Sequence, residues 1–134
     1  MGDVADAGCE MAPLILVVDD LMDSRQLTRQ GLEADGWRLI EAESGVAALA
    51  LIELCRPDVV ILDIQMPGMD GFGVLERLHD RIPPTARPYV IVVTAMALKG
   101  DRHRCMAAGA NDYLTRPYSF KELRRLIRAA LARG

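Results

Sequence analysis

Short apolar runs alternate along this chain with longer segments of helical spacing. Leu14-Ile15-Leu16-Val17-Val18 is continuously aliphatic and stops at Asp19-Asp20. Its length and composition suit a strand covered on both faces. Met22 to Asp35 reads as a helix with Leu27, Gly31 and Ala34 on its apolar face and Gly36 as its stop. Trp37 to Ala42 reads as a mixed strand. Ser44 then caps a helix to Cys55, with Val46, Leu49, Ala50 and Leu54 as its stripe. After Pro57, Val59 to Leu62 is a second fully apolar strand, ending in Asp63.

Met66-Pro67-Gly68-Met69-Asp70-Gly71 has turn composition. The helix beyond it runs to Ile82 and places Val74, Leu75, Leu78 and Ile82 inward. Pro83, Pro84 and Pro88 punctuate the connection to a third apolar strand, Tyr89 to Val93, which ends in Thr94. Lys99 to Ala108 reads as a helix stopped by Gly109, and Asp112 to Leu114 as a short strand before Arg116-Pro117. Ser119 and Glu122 have the spacing of a capping box for a last helix that buries Leu123, Leu126, Ile127, Ala130 and Leu131. Five strands strictly alternating with five helices predict an α/β fold with a parallel sheet and helices on both faces. The most apolar strands belong in the centre. A strand order of 2-1-3-4-5 puts them there, which is the flavodoxin-like arrangement.

Composition changes this reading little. At 134 residues, with 51% apolar and 26% charged residues, the chain suits one domain with its own core. A net charge of −3 argues against a general nucleic-acid or membrane-surface binder. No apolar run approaches the ~20 residues needed to span a bilayer. The first twelve residues carry Asp3, Asp6 and Glu10 without a basic stretch, so they read as a flexible extension rather than a signal peptide, with the domain at 13–133. Cys9, Cys55 and Cys105 form no paired motif and suit a reduced, cytoplasmic setting. Cys55 and Cys105 read as core or boundary fillers, and Cys9 as an oxidisable tail residue without a role. His79 and His103 read as surface residues. Fourteen of the sixteen basic residues are Arg, a bias compatible with base composition alone.

Candidate chemistry lies at the strand ends. Ligands of open α/β sheets bind beyond the carboxyl ends of the strands, and those ends are Asp19 and Asp20, Asp63, Thr94 and Arg116. Carboxylates brought together repel unless a cation neutralises them, and a hard divalent ion such as Mg²⁺ suits oxygen donors that also handle phosphate. No glycine-rich phosphate loop follows the first strand, which argues against a nucleotide cofactor.

With these residues in this order, the chain resembles the receiver domains of two-component response regulators, the chemotaxis-type single-domain proteins among them. The resemblance rests on Asp19-Asp20, Asp63, the 66–71 loop, Thr94-Ala95 and Arg116-Pro117, with 31 positions from Asp63 to Thr94 and 22 from Thr94 to Arg116. It implies that Asp63 is the phosphoacceptor, attacking the phosphohistidine of a histidine kinase or histidine phosphotransfer protein. It further implies that Mg²⁺ is held by Asp19, Asp20, Asp63 and the backbone carbonyl of Gln65. Thr94 and Ala95 would meet the phosphoryl group, Tyr113 would follow Thr94 as an aromatic switch, and a cis bond would precede Pro117. Such a module is bacterial and cytoplasmic. It is no enzyme beyond its own phosphotransfer and dephosphorylation, and it acts by protein–protein contact. The last strand–helix face, with Lys121, Arg124, Arg125, Arg128 and Arg133, reads either as an output surface or as a solvated basic helix end.

One residue departs from the pattern. The family has Lys before this Pro, whereas here it is Arg116, and the exchange is not conservative at a packed phosphate site. Two roles stay open for it: clamping the phosphoryl group, or holding Asp63 without phosphate. The alternatives to a stand-alone phosphorylated receiver are a receiver segment of a hybrid histidine kinase, as Lys99-Gly100-Asp101-Arg102 suggests, or a phosphate-independent scaffold. An Mg²⁺-dependent phosphohydrolase with an Asp nucleophile is a further class. It usually needs a second Asp two residues after the nucleophile, where this chain has Gln65.

Overall fold

The computed structural model describes residues 12–95 and 99–133. The amino-terminal extension expected at residues 1–12 lies almost wholly outside them. Five strands are present among the described residues: β1 (Leu14–Val18), β2 (Arg38–Ala42), β3 (Val59–Asp63), β4 (Tyr89–Thr94) and β5 (Asp112–Thr115). The helices between and after them are α1 (Met22–Leu32), α2 (Gly45–Cys55), α3 (Gly71–Arg81), α4 (Asp101–Ala107) and α5 (Phe120–Arg133). All strand pairs are parallel and the order is β2-β1-β3-β4-β5, as the alternation predicts.

Strand periodicity divides the core into two layers. Leu16, Val18, Val60, Leu62, Val90 and Val92 face α2, α3 and α4. Ile15, Val17, Val59, Ile61, Ile91 and Val93 face α1 and α5. The three inner strands are buried along almost their whole length, which is why they read as unbroken aliphatic runs rather than alternating ones. Ser44 caps α2 by accepting from the Ala47 amide, Asp70 caps α3 through the Gly73 amide, and Ser119 accepts from the Glu122 amide at the start of α5.

Two helices face the core differently from the sequence reading. On α1 the buried residues are Arg25, Thr28 and Leu32, while Leu27 is 59% exposed and Ala34 is also exposed. Gly31, half-buried, meets the Phe120 ring of α5. An apolar count misses this face because two of its members are polar and satisfied inside. The Arg25 guanidinium bonds the Asp19 carbonyl and Glu41, and the Thr28 hydroxyl donates to the Ser24 carbonyl. On α2 the buried set is Gly45, Ala48, Leu49 and Ile52, whereas Val46 and Leu54 are 66% and 81% exposed and Ala50 is exposed. This helix is apolar nearly all round, so several stripes compete and the sequence does not choose among them. Cys55 is exposed at its end, neither a core nor a boundary filler, while Cys105 is buried. Smaller differences concern ends: β2 begins at Arg38 rather than Trp37, and α4 at Asp101 rather than Lys99.

Candidate functional site

Register brings the strand ends together. Val18 pairs with Leu62, so Asp19 stands level with Asp63 on the neighbouring strand. Asp63 pairs with Val93 and Thr94 with Thr115, which sets Thr94 and Arg116 one step farther along. The Arg116 amide donates to the Thr94 carbonyl at 2.8 Å, and the Arg116–Pro117 bond is cis. Asp19, Asp63 and Thr94 are buried polar residues, each at most 5% exposed. Asp20 is half-buried, Gln65 and Ala95 are exposed, and Tyr113 is buried.

The acidic cluster is compact. One carboxylate oxygen from each of Asp19, Asp20 and Asp63 lies within 4.8 Å of the others. Backbone amides hold two of the three side chains: Leu21 N donates to Asp19 Oδ1 at 3.0 Å and Gln65 N to Asp63 Oδ1 at 2.9 Å. Both Oδ2 atoms face Arg116. Its Nη2 lies 3.1 Å from Asp19 Oδ2 and its Nη1 3.6 Å from Asp63 Oδ2. Burial pushes the Asp63 carboxyl above its ordinary range, and the nearby Asp19 and Asp20 push the same way. The Gln65 amide and the Arg116 charge pull it back.

This donor set fits a hard divalent cation. It offers carboxylate oxygens close enough to share one ion, and one guanidinium offsets only part of their charge. The chain from Asp63 to α3 is tightly fitted beside it. A Cβ on Gly71 would stand 2.7 Å from Ile64 Cα and 3.1 Å from the Asp63 carbonyl, so the return of the loop under the site needs glycine.

Beside the cluster lies a groove of about 430 Å³, bordered by Ile64, Gln65, Met66, Thr94, Cys105 and Tyr113. The Arg104 guanidinium of α4 stacks 3.8 Å over the Phe72 ring at its edge. The Tyr113 hydroxyl is buried near Thr115 with no well-formed hydrogen bond among the described residues. A larger furrow, about 810 Å³, runs past Pro13, Asp58 and Tyr89 at the amino ends of the strands. Its lining shares no residue with the acidic cluster, so size alone does not locate the chemistry. Sequence reasoning missed Arg25 and Glu41, which meet next to Asp19. Their signal was an Arg one turn into the helix after the acidic pair and a Glu on a strand beside it.

Similarity to known proteins matches this geometry. Residues 15–128 match the response regulator receiver domain family, and the chain belongs to that family, a component of two-component systems. It is 38% identical over 125 residues to the response regulator PleD of Caulobacter vibrioides, covering 90% of this chain and 27% of that protein. It is 36% identical over 119 residues to the probable transcriptional regulatory protein TcrX of Mycobacterium tuberculosis, covering 89% of this chain and 50% of TcrX. The chain thus spans about a quarter to a half of these relatives. Among solved structures, the receiver domain of a LuxO repressor protein from Vibrio parahaemolyticus superposes with a TM-score of 0.85 at 26% identity, covering 92% of both chains. The receiver domain of the Francisella response regulator 1452 gives 0.83 at 30% identity, covering 90% of this chain and 98% of that one. No helix among the described residues is long and apolar enough to cross a membrane.

Proposed function

We propose that this receiver takes a phosphoryl group onto Asp63 from a phosphohistidine of a sensor kinase or phosphotransfer protein, and signals through the resulting change in its protein contacts. The observation that carries the reading is the buried Asp63 carboxylate at the end of β3, gathered with Asp19 and Asp20 and faced by one guanidinium. In the transfer, Asp63 Oδ2 forms the new P–O bond as the donor's P–N bond breaks, and the leaving imidazole takes up a proton from water. Gln65 N holds Oδ1, which leaves Oδ2 as the reacting oxygen. Asp19, Asp20, Asp63 and the Gln65 carbonyl would hold Mg²⁺, which supplies neutralisation of the charge on the transferring group. Thr94 and Ala95 would meet the phosphoryl group, and the Arg116 fork would turn from the carboxylates to its oxygens. Tyr113, which lines the same groove as Thr94, would follow it as the aromatic switch.

The domain boundaries at 13–133, a cytoplasmic setting and action without nucleic acid or membrane belong to the same proposal. The chemistry is the same whether the receiver works alone or within a longer kinase or regulator. Arg116 favours a second reading, a phosphate-independent scaffold, because its guanidinium already bridges Asp19 and Asp63. Intact-mass measurement after acetyl phosphate and Mg²⁺ separates the two. We expect one phosphoryl adduct on the wild type, mapped to Asp63, and none on Asp63→Asn. An unmodified wild type beside a reactive control receiver would leave the scaffold.

A further inference from the structure

Arg25 carries a buried cation that the phosphoacceptor chemistry does not use. It lies on the sheet-facing side of α1, 9% exposed, in a helix packed against apolar strands. Such a charge is retained inside only when its donors are matched. Nη1 donates to the main-chain carbonyl of Asp19 at 2.8 Å, and Nε donates to Glu41 Oε1 at 3.1 Å. Glu41 in turn accepts from Arg29 Nη1 at 2.7 Å, and these two arginines hold its carboxyl below the usual range, Arg29 more strongly.

The contact to Asp19 closes a small frame. The Asp19 amide donates to the Ala42 carbonyl of β2 at 3.1 Å, so both main-chain groups of this residue are tied to different elements. Leu21 N fixes Asp19 Oδ1, and the Arg25 amide donates back to the Leu21 carbonyl at 2.9 Å. The Asp19 carbonyl and the Asp20 amide share one planar unit. The guanidinium that holds the carbonyl therefore also sets the plane from which Asp20 leaves.

We propose that Arg25, anchored by Glu41, is a positioning residue for the divalent-cation site. It orients Asp19 and Asp20 through their shared peptide and never touches the ion or the phosphoryl group. This inference rests on the metal-site reading above. It makes a prediction of opposite sign to simple electrostatics. Removing a nearby positive charge should by itself tighten binding of a cation, whereas losing the frame should weaken it.

The test is Mg²⁺ titration of the full chain followed by amide NMR, with the Leu21 signal as reporter of the Asp19 carboxylate. The wild type should saturate. Arg25→Met should raise the Mg²⁺ dissociation constant roughly tenfold and shift the Leu21 amide before any ion is added. Arg25→Lys should recover part of the loss, because one ammonium reaches the carbonyl or Glu41 but does not fork to both. Glu41→Gln should weaken binding by a smaller factor. Equal or tighter binding in Arg25→Met and Glu41→Gln overturns the proposal. Should Arg25→Met not fold by circular dichroism, unchanged affinity in both Arg25→Lys and Glu41→Gln overturns it instead. A wild type with no saturable response overturns the metal site itself, and the proposal with it, before any variant is compared.

Discussion

Arg116 and Asp19 meet at 3.1 Å, Nη2 to Oδ2, and the other arm of the same guanidinium lies 3.6 Å from Asp63 Oδ2. The Oδ1 atoms of both carboxylates already accept from backbone amides. One side chain thus faces the remaining oxygen of two residues that a divalent ion would share. Exchanging Arg116 for Lys keeps the charge but removes the fork, so the ion meets less direct competition. Arg116→Lys should tighten Mg²⁺ binding roughly threefold or more, and Arg116→Met at least as much. Unchanged or weaker binding in Arg116→Lys, measured by calorimetry or NMR titration, would show that the guanidinium does not compete.

Asp63 gives a pH dependence whose sign follows from its surroundings. Burial raises its carboxyl above the ordinary value of 3.8. Between that value and the raised one, the folded chain binds more protons at this residue than the unfolded chain does. The contribution of Asp63 to stability therefore falls as pH rises through this window and stays unfavourable above it. Asp63→Asn removes the ionisation, so it should melt a few degrees higher than the wild type at neutral pH. The gain should shrink as pH drops below the ordinary carboxylate range, where Asp63 is protonated in both states. Thermal melts of the two proteins across acidic and neutral pH check this, and a pH-independent difference would count against burial as the cause.

The two faces of α2 test where local pattern stops being informative. Val46 and Leu54 point outward, while Leu49 and Ile52 fill the layer against β1 and α3. Val46→Ser and Leu54→Ser should change stability by less than about 0.5 kcal/mol. Leu49→Ala and Ile52→Ala should each cost about 2–5 kcal/mol. Denaturant melts decide, and a large loss from Leu54→Ser would return the buried face to the stripe read from the sequence.

That contrast explains what the sequence made legible. β1, β3 and β4 announced themselves because a strand buried on both faces has no polar position to blur it. Asp19, Asp63 and Thr94 were equally visible, since each is the first polar residue after such a run, and parallel register brings such residues level. The inward faces of α1 and α2 were not visible. One hides a buried Arg and Thr whose partners lie 16 residues away and one turn back, and the other has too many apolar positions to rank.

Tyr113 closes the groove beside the acidic cluster, and its hydroxyl is buried near Thr115 with no well-formed hydrogen bond among the described residues. Burial pushes the hydroxyl above its usual range, so it stays protonated at neutral pH and offers a donor with no well-formed acceptor among the described residues. A buried polar group left unmatched costs about 1–3 kcal/mol, and deleting it without changing the ring removes that cost. Tyr113→Phe should therefore hold or raise the melting temperature, with a gain near 1 kcal/mol. Tyr113→Ala opens a cavity against Cys105 and the β4 side of the core and should lose about 3–5 kcal/mol. If Tyr113→Phe instead lowers stability by as much as a lost hydrogen bond, the hydroxyl has an acceptor in solution. The ring would then be held at its tip rather than by packing. In that event its freedom to follow Thr94 would depend on breaking that bond, and phosphorylated Tyr113→Phe should show the larger change in the groove amides.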